Sequence, residues 1–134
     1  MAIVYYSQGE YTQALAFYDK DLAIKLKTLG PDHPDTAATY NNMASVYDKQ
    51  GEYTQALAFY DKSLAITLKT LGPDHPDTAT TYFNLGALCH NMEDYTQSLK
   101  HLELALAIMP KSFDPEHPRI SDIKSSIAAV MKKM

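Results

Sequence analysis

The chain carries a copy of itself. Residues 9–50 recur as residues 51–92, with about 30 of 42 positions identical, and a more divergent third copy runs from Glu93 to Met134. A fixed period of this length marks a stacked-repeat architecture. Each unit is too small to bury its apolar face alone, so the core runs as a line between neighbours instead of forming a ball. That constraint limits the fold before any other property of the chain is considered.

Within each copy the apolar residues follow helical spacing. Tyr40, Met43, Ala44 and Tyr47 stand at i, i+3, i+4 and i+7, which is one helix face. Tyr53, Ala56, Leu57, Tyr60, Leu64, Leu68 and Leu71 continue the pattern over a longer segment. Gly51 lies between the two and suits a helix end that needs a positive φ. The connection to the next unit reads Leu29-Gly30-Pro31-Asp32-His33-Pro34, repeated at Leu71 to Pro76. Pro31 stops one helix, and Pro34 with Asp35 suits the first turn of the next. The pattern predicts helices at about 1–8, 11–29, 34–49, 53–71, 76–91, 94–109 and 118–133, and no strand.

The third copy departs from the pattern. Glu93 replaces a glycine, Asp114 stands where the others have Gly30 and Gly72, and Pro110 takes the place of Leu68. The proline predicts an early end or kink to its helix. Near the C-terminus, Ile120, Ile123, Ile127, Val130, Met131 and Met134 form an expected apolar face. The first helix, 1–8, is truncated relative to its copies, because Met1 aligns with Met43.

The set Tyr40, Met43, Ala44, Tyr47, Gly51, Tyr53, Ala56 and Tyr60 resembles the tetratricopeptide repeat (TPR). Its counterpart reads Tyr82, Leu85, Gly86, Cys89, Tyr95, Ser98, Leu102 and Ala105. Small residues at 44 or 86, facing 56 or 98, let two helices approach closely. The unit length and the LGPDHPDTA linker resemble the repeats of kinesin light chains. The resemblance implies an all-α, right-handed superhelical stack of about three helical hairpins plus a terminal helix. The expected layout is one repeat domain over 1–134, with units 9–50, 51–92 and 93–134 and a capping helix at about 118–133. It also implies a scaffold or adaptor, not an enzyme, that binds an extended peptide along its concave face. The inner helix of each pair would line that face with Asn41, Asn42, Ser45 and Lys49 from one copy. Thr80, Phe83, Asn84, His90 and Asn91 would come from the next. In peptide-binding relatives, an amide at the place of Asn42 and Asn84 bonds the peptide backbone, a role suited to a group that both donates and accepts.

Composition narrows the partners. Net charge is −4 and the pI about 5.6, which argues against nucleic acid, since phosphate binding needs a concentrated basic face. No run of 18 apolar residues predicts a membrane span. The start, MAIVYYSQGE, lacks the basic flank of a secretory signal. The single cysteine, Cys89, excludes an intramolecular disulfide and fits a reducing, cytoplasmic setting. The residues His33, His75 and His117 recur once per linker, so stacking separates them too far to share a metal ion; capping is the expected role. His90 and His101 are not periodic and are expected at the surface. No nucleophile-with-base pair, phosphate loop or metalloprotease motif occurs, so neither catalysis nor a cofactor is expected. The apolar residues Ile3, Val4, Tyr5 and Tyr6 make the N-terminal end adhesive. A self-assembling module that forms homo-oligomers through that end is therefore the alternative function.

Overall fold

A computed structural model describes residues 8–112 and 118–134. Six helices occur among them: α1 (Gln8–Thr28), α2 (Pro34–Lys49), α3 (Tyr53–Thr70), α4 (Pro76–Asn91), α5 (Tyr95–Ser112) and α6 (Pro118–Lys133). No strand occurs among the described residues. The helices group into two compact units, one ending at Thr70 and one starting at Leu71. The first holds α1 to α3 and the second α4 to α6. The expected helix at 1–8 lies outside the described residues except for Gln8, which belongs to α1.

The linker sequence builds the same helix start twice. His33 is extended (φ −97°, ψ 141°) and caps α2, its Nδ1 accepting from the Asp35 N–H at 3.0 Å. His75 does the same for α4, accepting from the Asp77 N–H at 3.0 Å. Each cap satisfies one of the N–H groups that a helix start leaves without an internal partner. A threonine then ties the linker down. Thr36 Oγ1 donates to the Gly30 carbonyl at 2.9 Å and Thr78 Oγ1 to the Gly72 carbonyl at 2.8 Å, and both threonines are fully buried. The periodic histidines at 33 and 75 are therefore caps. His117 lies outside the described residues, as does Asp114.

The turn inside each hairpin is also shared, but its residue is not. Gly51 sits at φ 80°, and Glu93 holds the equivalent place at φ 62°. The closing bonds match: the Glu52 N–H donates to the Tyr47 carbonyl at 2.8 Å, and the Asp94 N–H to the Cys89 carbonyl at 2.9 Å. A glutamate in the left-handed region carries a Cβ clash that glycine lacks.

In the first unit, α2 packs on α3, and the small residues Ala44 of α2 and Ala56 of α3 are both fully buried. Around them stands an aromatic stack. Phe59 lies 5.4 Å from Tyr47, nearly parallel, and 5.9 Å from Tyr40, with the Lys62 ammonium 5.2 Å from its ring centre. Between α1 and α2, Lys25 Nζ donates to Thr39 Oγ1 at 2.9 Å, which in turn donates to Asp21 at 3.0 Å. Lys25 also pairs with Asp21 at 3.0 Å.

In the second unit, α4 and α5 meet at Gly86 and Ser98. Ser98 Oγ donates to the Gly86 carbonyl at 2.6 Å, in a fully buried contact. A Cβ on Gly86 would stand 2.7 Å from the Leu102 side chain, so the approach excludes even alanine without movement. Farther along, Ala79, Ala105, Ile108, Ile120 and Ile123 form a buried cluster against which Tyr82, Phe83, Leu106 and Ile127 pack. This cluster joins α6 to α4 and α5.

Four expectations are corrected. α5 passes through Pro110 to Ser112 instead of ending at 109; a proline this close to the end removes only one intrahelical bond. α1 runs through Gly9, although Gly51, its repeat equivalent, breaks the chain. Glycine permits the left-handed turn, and the return of α3 onto α2 is what requires it. Met131 and Met134 are exposed (60% and 64%): Val130 takes the inward position and Met131 lies about 100° round the helix from it, while Met134 falls past the last residue of α6. His90 and His101 are half-buried ring partners, not surface residues: His101 stacks 6.1 Å from Tyr82 and His90 lies 5.5 Å from Tyr95. His101 stands one 42-residue step from Phe59 and inherits its seat.

Candidate functional site

The predicted site residues fall on two helices, one in each unit. On α2, Asn42 and Lys49 are exposed, while Asn41 and Ser45 are half-buried. On α4, Asn91 is exposed and Thr80, Phe83, Asn84 and His90 are half-buried. Helical spacing puts Asn42, Ser45 and Lys49 along one side of α2, and Thr80, Asn84, His90 and Asn91 around the matching side of α4.

Not all of these side chains are turned to the same task. Thr80 Oγ1 donates to the Pro76 carbonyl of its own helix at 3.1 Å. Phe83 packs against the buried cluster of the second unit. Its ring therefore serves the core on at least one face.

His90 and Asn91 come together in a cavity of about 190 Å³ in the second unit. Its wall is completed by Gly86 and Ala87 of α4, Ser98 and Leu102 of α5, and Ser126, Ala129 and Val130 of α6. Small residues make the opening: Gly86, Ala87 and Ala129 leave the space that larger side chains would fill. No charged carboxylate or ammonium lines it. Sequence reasoning missed the α6 contribution, although the period contains it. A 42-residue step carries Asn42 to Asn84 and then to Ser126, and carries Ala87 to Ala129. The third copy therefore supplies a shorter polar residue at the amide position.

Lys49 borders a different space. A cavity of about 490 Å³ in the first unit is lined by Tyr11, Tyr47, Lys49, Gln50, Glu52 and Gln55. Burial in the aromatic stack raises the Tyr47 phenol above its ordinary pKa, with Asp19 and Glu52 adding to the effect. Tyr47 is therefore an uncharged hydroxyl at neutral pH, suited to hydrogen bonding and stacking.

Among the described residues no group of three or more His, Cys, Asp or Glu is placed to hold a metal ion. Cys89 is buried. No helix among the described residues is long and apolar enough to cross a membrane.

Comparison with known proteins places this geometry. The chain matches the family described as Tetratricopeptide repeat over residues 1–69 and again over 38–111. Among solved structures it resembles BtubC (BKLC) from P. vanneervenii, with 24% identity and a TM-score of 0.86 over 93% of this chain and 50% of that one. That likeness concerns the fold alone. It also resembles the nearly identical TPR-like repeats assigned to a kinesin light chain of Podosopora anserina. There the identity is 25% and the TM-score 0.86, over 98% of this chain and 63% of that one. A curated relative, the Clustered mitochondria protein of Arabidopsis thaliana, is 46% identical over 44 residues, which are 33% of this chain and 3% of that protein. The chain thus spans 50% to 63% of these solved structures and a small part of the plant protein.

Proposed function

Because this chain belongs to the tetratricopeptide repeat family and resembles kinesin light chain repeats in fold, we propose that it is a protein-interaction scaffold, working as one repeat domain over residues 1–134, that holds an extended peptide segment of a partner. The repeat is a scaffold fold, not an enzymatic one. The peptide would run across the inner helices, over Asn41, Asn42, Ser45 and Lys49 of α2 and over Thr80, Phe83, Asn84, His90 and Asn91 of α4. A cytoplasmic location belongs to the same reading and rests on the lone reduced cysteine.

The observation that carries this reading is the cavity walled by His90, Asn91 and Ser126. It is concave, has a few polar groups over a small-residue floor, and suits one uncharged side chain of a bound peptide. Selection from a random peptide library, followed by titration of the selected peptide, tests it. Asn42→Ala with Asn84→Ala is expected to weaken binding at least tenfold, and Ala129→Leu to block the cavity. Unchanged capture by both variants would remove the groove assignment.

Self-association through the N-terminal end is the second reading. It rests on the near-identity of residues 9–50 and 51–92, which lets a unit of one copy stand in register for a unit of another. Molar mass by light scattering over a concentration series decides it, and a monomer throughout rules it out.

A further inference from the structure

Among the described residues nothing pairs with the Nε2 of His90, whose ring lines the cavity of the second unit. That nitrogen is also closed off from water. A buried polar atom left unpaired costs free energy, which a ligand that pairs it recovers. Ser98, in the same wall, is already engaged, its hydroxyl donating to the Gly86 carbonyl at 2.6 Å. Described residues alone form the wall. They come from the C-terminal half of α4, the N-terminal half of α5 and the C-terminal half of α6. The stretch 113–117 joins the opposite ends of α5 and α6.

We infer that this cavity selects a glutamine side chain of the bound peptide, whose carboxamide pairs with His90 Nε2. The inference rests on the peptide-scaffold reading above and names the side chain that its cavity takes. Ala87, Leu102, Ala129 and Val130 line the cavity with carbon, which suits an aliphatic stem. No carboxylate or ammonium stands there, so a charged terminus would be buried without a counter-charge. An imidazole nitrogen donates or accepts according to its tautomer, and a carboxamide answers either. Methionine has a similar length but offers only a weak acceptor. A cavity of about 150 Å³ holds a benzene ring, so the 190 Å³ present has room for a side chain of glutamine length. A half-turn of the His90 ring about χ2, a broad torsion, moves Nε2 while keeping the ring plane and its packing on Tyr95.

The probe is a consensus peptide selected from a random library against the full 134-residue chain. The consensus is expected to fix glutamine at one position. In anisotropy titrations, replacing that glutamine by methionine or by glutamate should each weaken binding about tenfold or more. His90→Phe, which keeps a ring against Tyr95, should shrink the preference for glutamine over methionine to about threefold or less. Ala129→Leu, at an exposed position of α6, fills the same cavity and carries the test if His90→Phe does not fold. It should lower the glutamine form to the level of the methionine form. Asn42→Ala with Asn84→Ala should weaken both forms alike, which separates loss of the groove from loss of the preference. A consensus without glutamine, or one in which methionine serves as well, overturns the inference and leaves the peptide reading standing. So does a glutamate form that binds as tightly. A preference that survives both His90→Phe and Ala129→Leu puts the amide elsewhere and equally overturns it. Failure to select any peptide removes the groove and the inference with it.

Discussion

The α2–α3 and α4–α5 hairpins share a backbone plan and differ in what holds them closed. The first is closed by aromatic rings, with Phe59 between Tyr40 and Tyr47 and a pair of alanines at the crossing. The second keeps half of that stack, His101 on Tyr82, because Cys89 has replaced the other tyrosine. At its crossing Gly86 admits Leu102 and Ser98 bonds the helix backbone. The lesson is that one repeat geometry has two packing solutions. The second hairpin has given up a large side chain at position 89 and a methyl group at position 86, and beside Gly86 it opens into the cavity that α6 helps to wall.

This contrast is tested most severely at its tightest point. Gly86→Val is expected to destabilise the chain by about 3 kcal/mol through overpacking against Leu102, read as the shift of a urea unfolding midpoint. Ala44→Val should cost less, since it adds two carbons to the existing side chain where Gly86→Val adds three. Equal losses would show that the two crossings do not differ. Next in size is the stack. Phe59→Ala should cost about 2 kcal/mol, from lost burial and two ring contacts, and His101→Ala about 1 kcal/mol, with one contact to lose. Thermal unfolding of the pair of variants ranks them, and a reversed order breaks the comparison.

The turn gives a smaller effect of opposite sign. Glu93→Gly should stabilise by about 1 kcal/mol by relieving a glutamate at φ 62°, and Gly51→Glu should destabilise by about the same. The smallest effect is electrostatic and confined to the first unit. The hydrogen bond from Lys25 holds the Asp21 carboxyl below its ordinary value of 3.8, helped by Thr39 and opposed by burial. A lowered folded-state value means that the contribution is present above the ordinary value and fades as pH falls through the lowered one. Asp21→Asn should cost about 0.5 kcal/mol at neutral pH, and the difference from the parent should fade as pH falls below the ordinary carboxylate range and through the lowered value. A difference that persists in acid would mean that packing, not charge, sets the role of Asp21.

Much of the fold was legible because a period repeats every error check. Tyr40, Met43, Ala44 and Tyr47 gave the face of α2, and Gly51 gave its end. The linker histidines were readable as caps, but the buried Thr36 and Thr78 that anchor the linkers were not. Nothing in local sequence says that a hydroxyl will reach six residues back to a carbonyl. The candidate groove was only partly legible. Asn42 and Asn84 stand out by period, whereas Ser126 and Ala129 are hidden by divergence of the third copy. The resemblance places Phe83 on the concave face, yet it packs on the cluster that α6 completes.

By itself the sequence determined the period, the helical hairpin and the positions of the caps, while the small residues at each crossing came with the resemblance to the repeat family. The former follow from local sterics and from spacing at 3.6 residues per turn, which need no distant partner. Only the tertiary structure decided which of two nearly identical helices is covered. Ile66 is buried and Ile24 exposed, though both lie in the same stretch of sequence. Burial belongs to the neighbour as much as to the residue, and spacing along one helix does not name that neighbour.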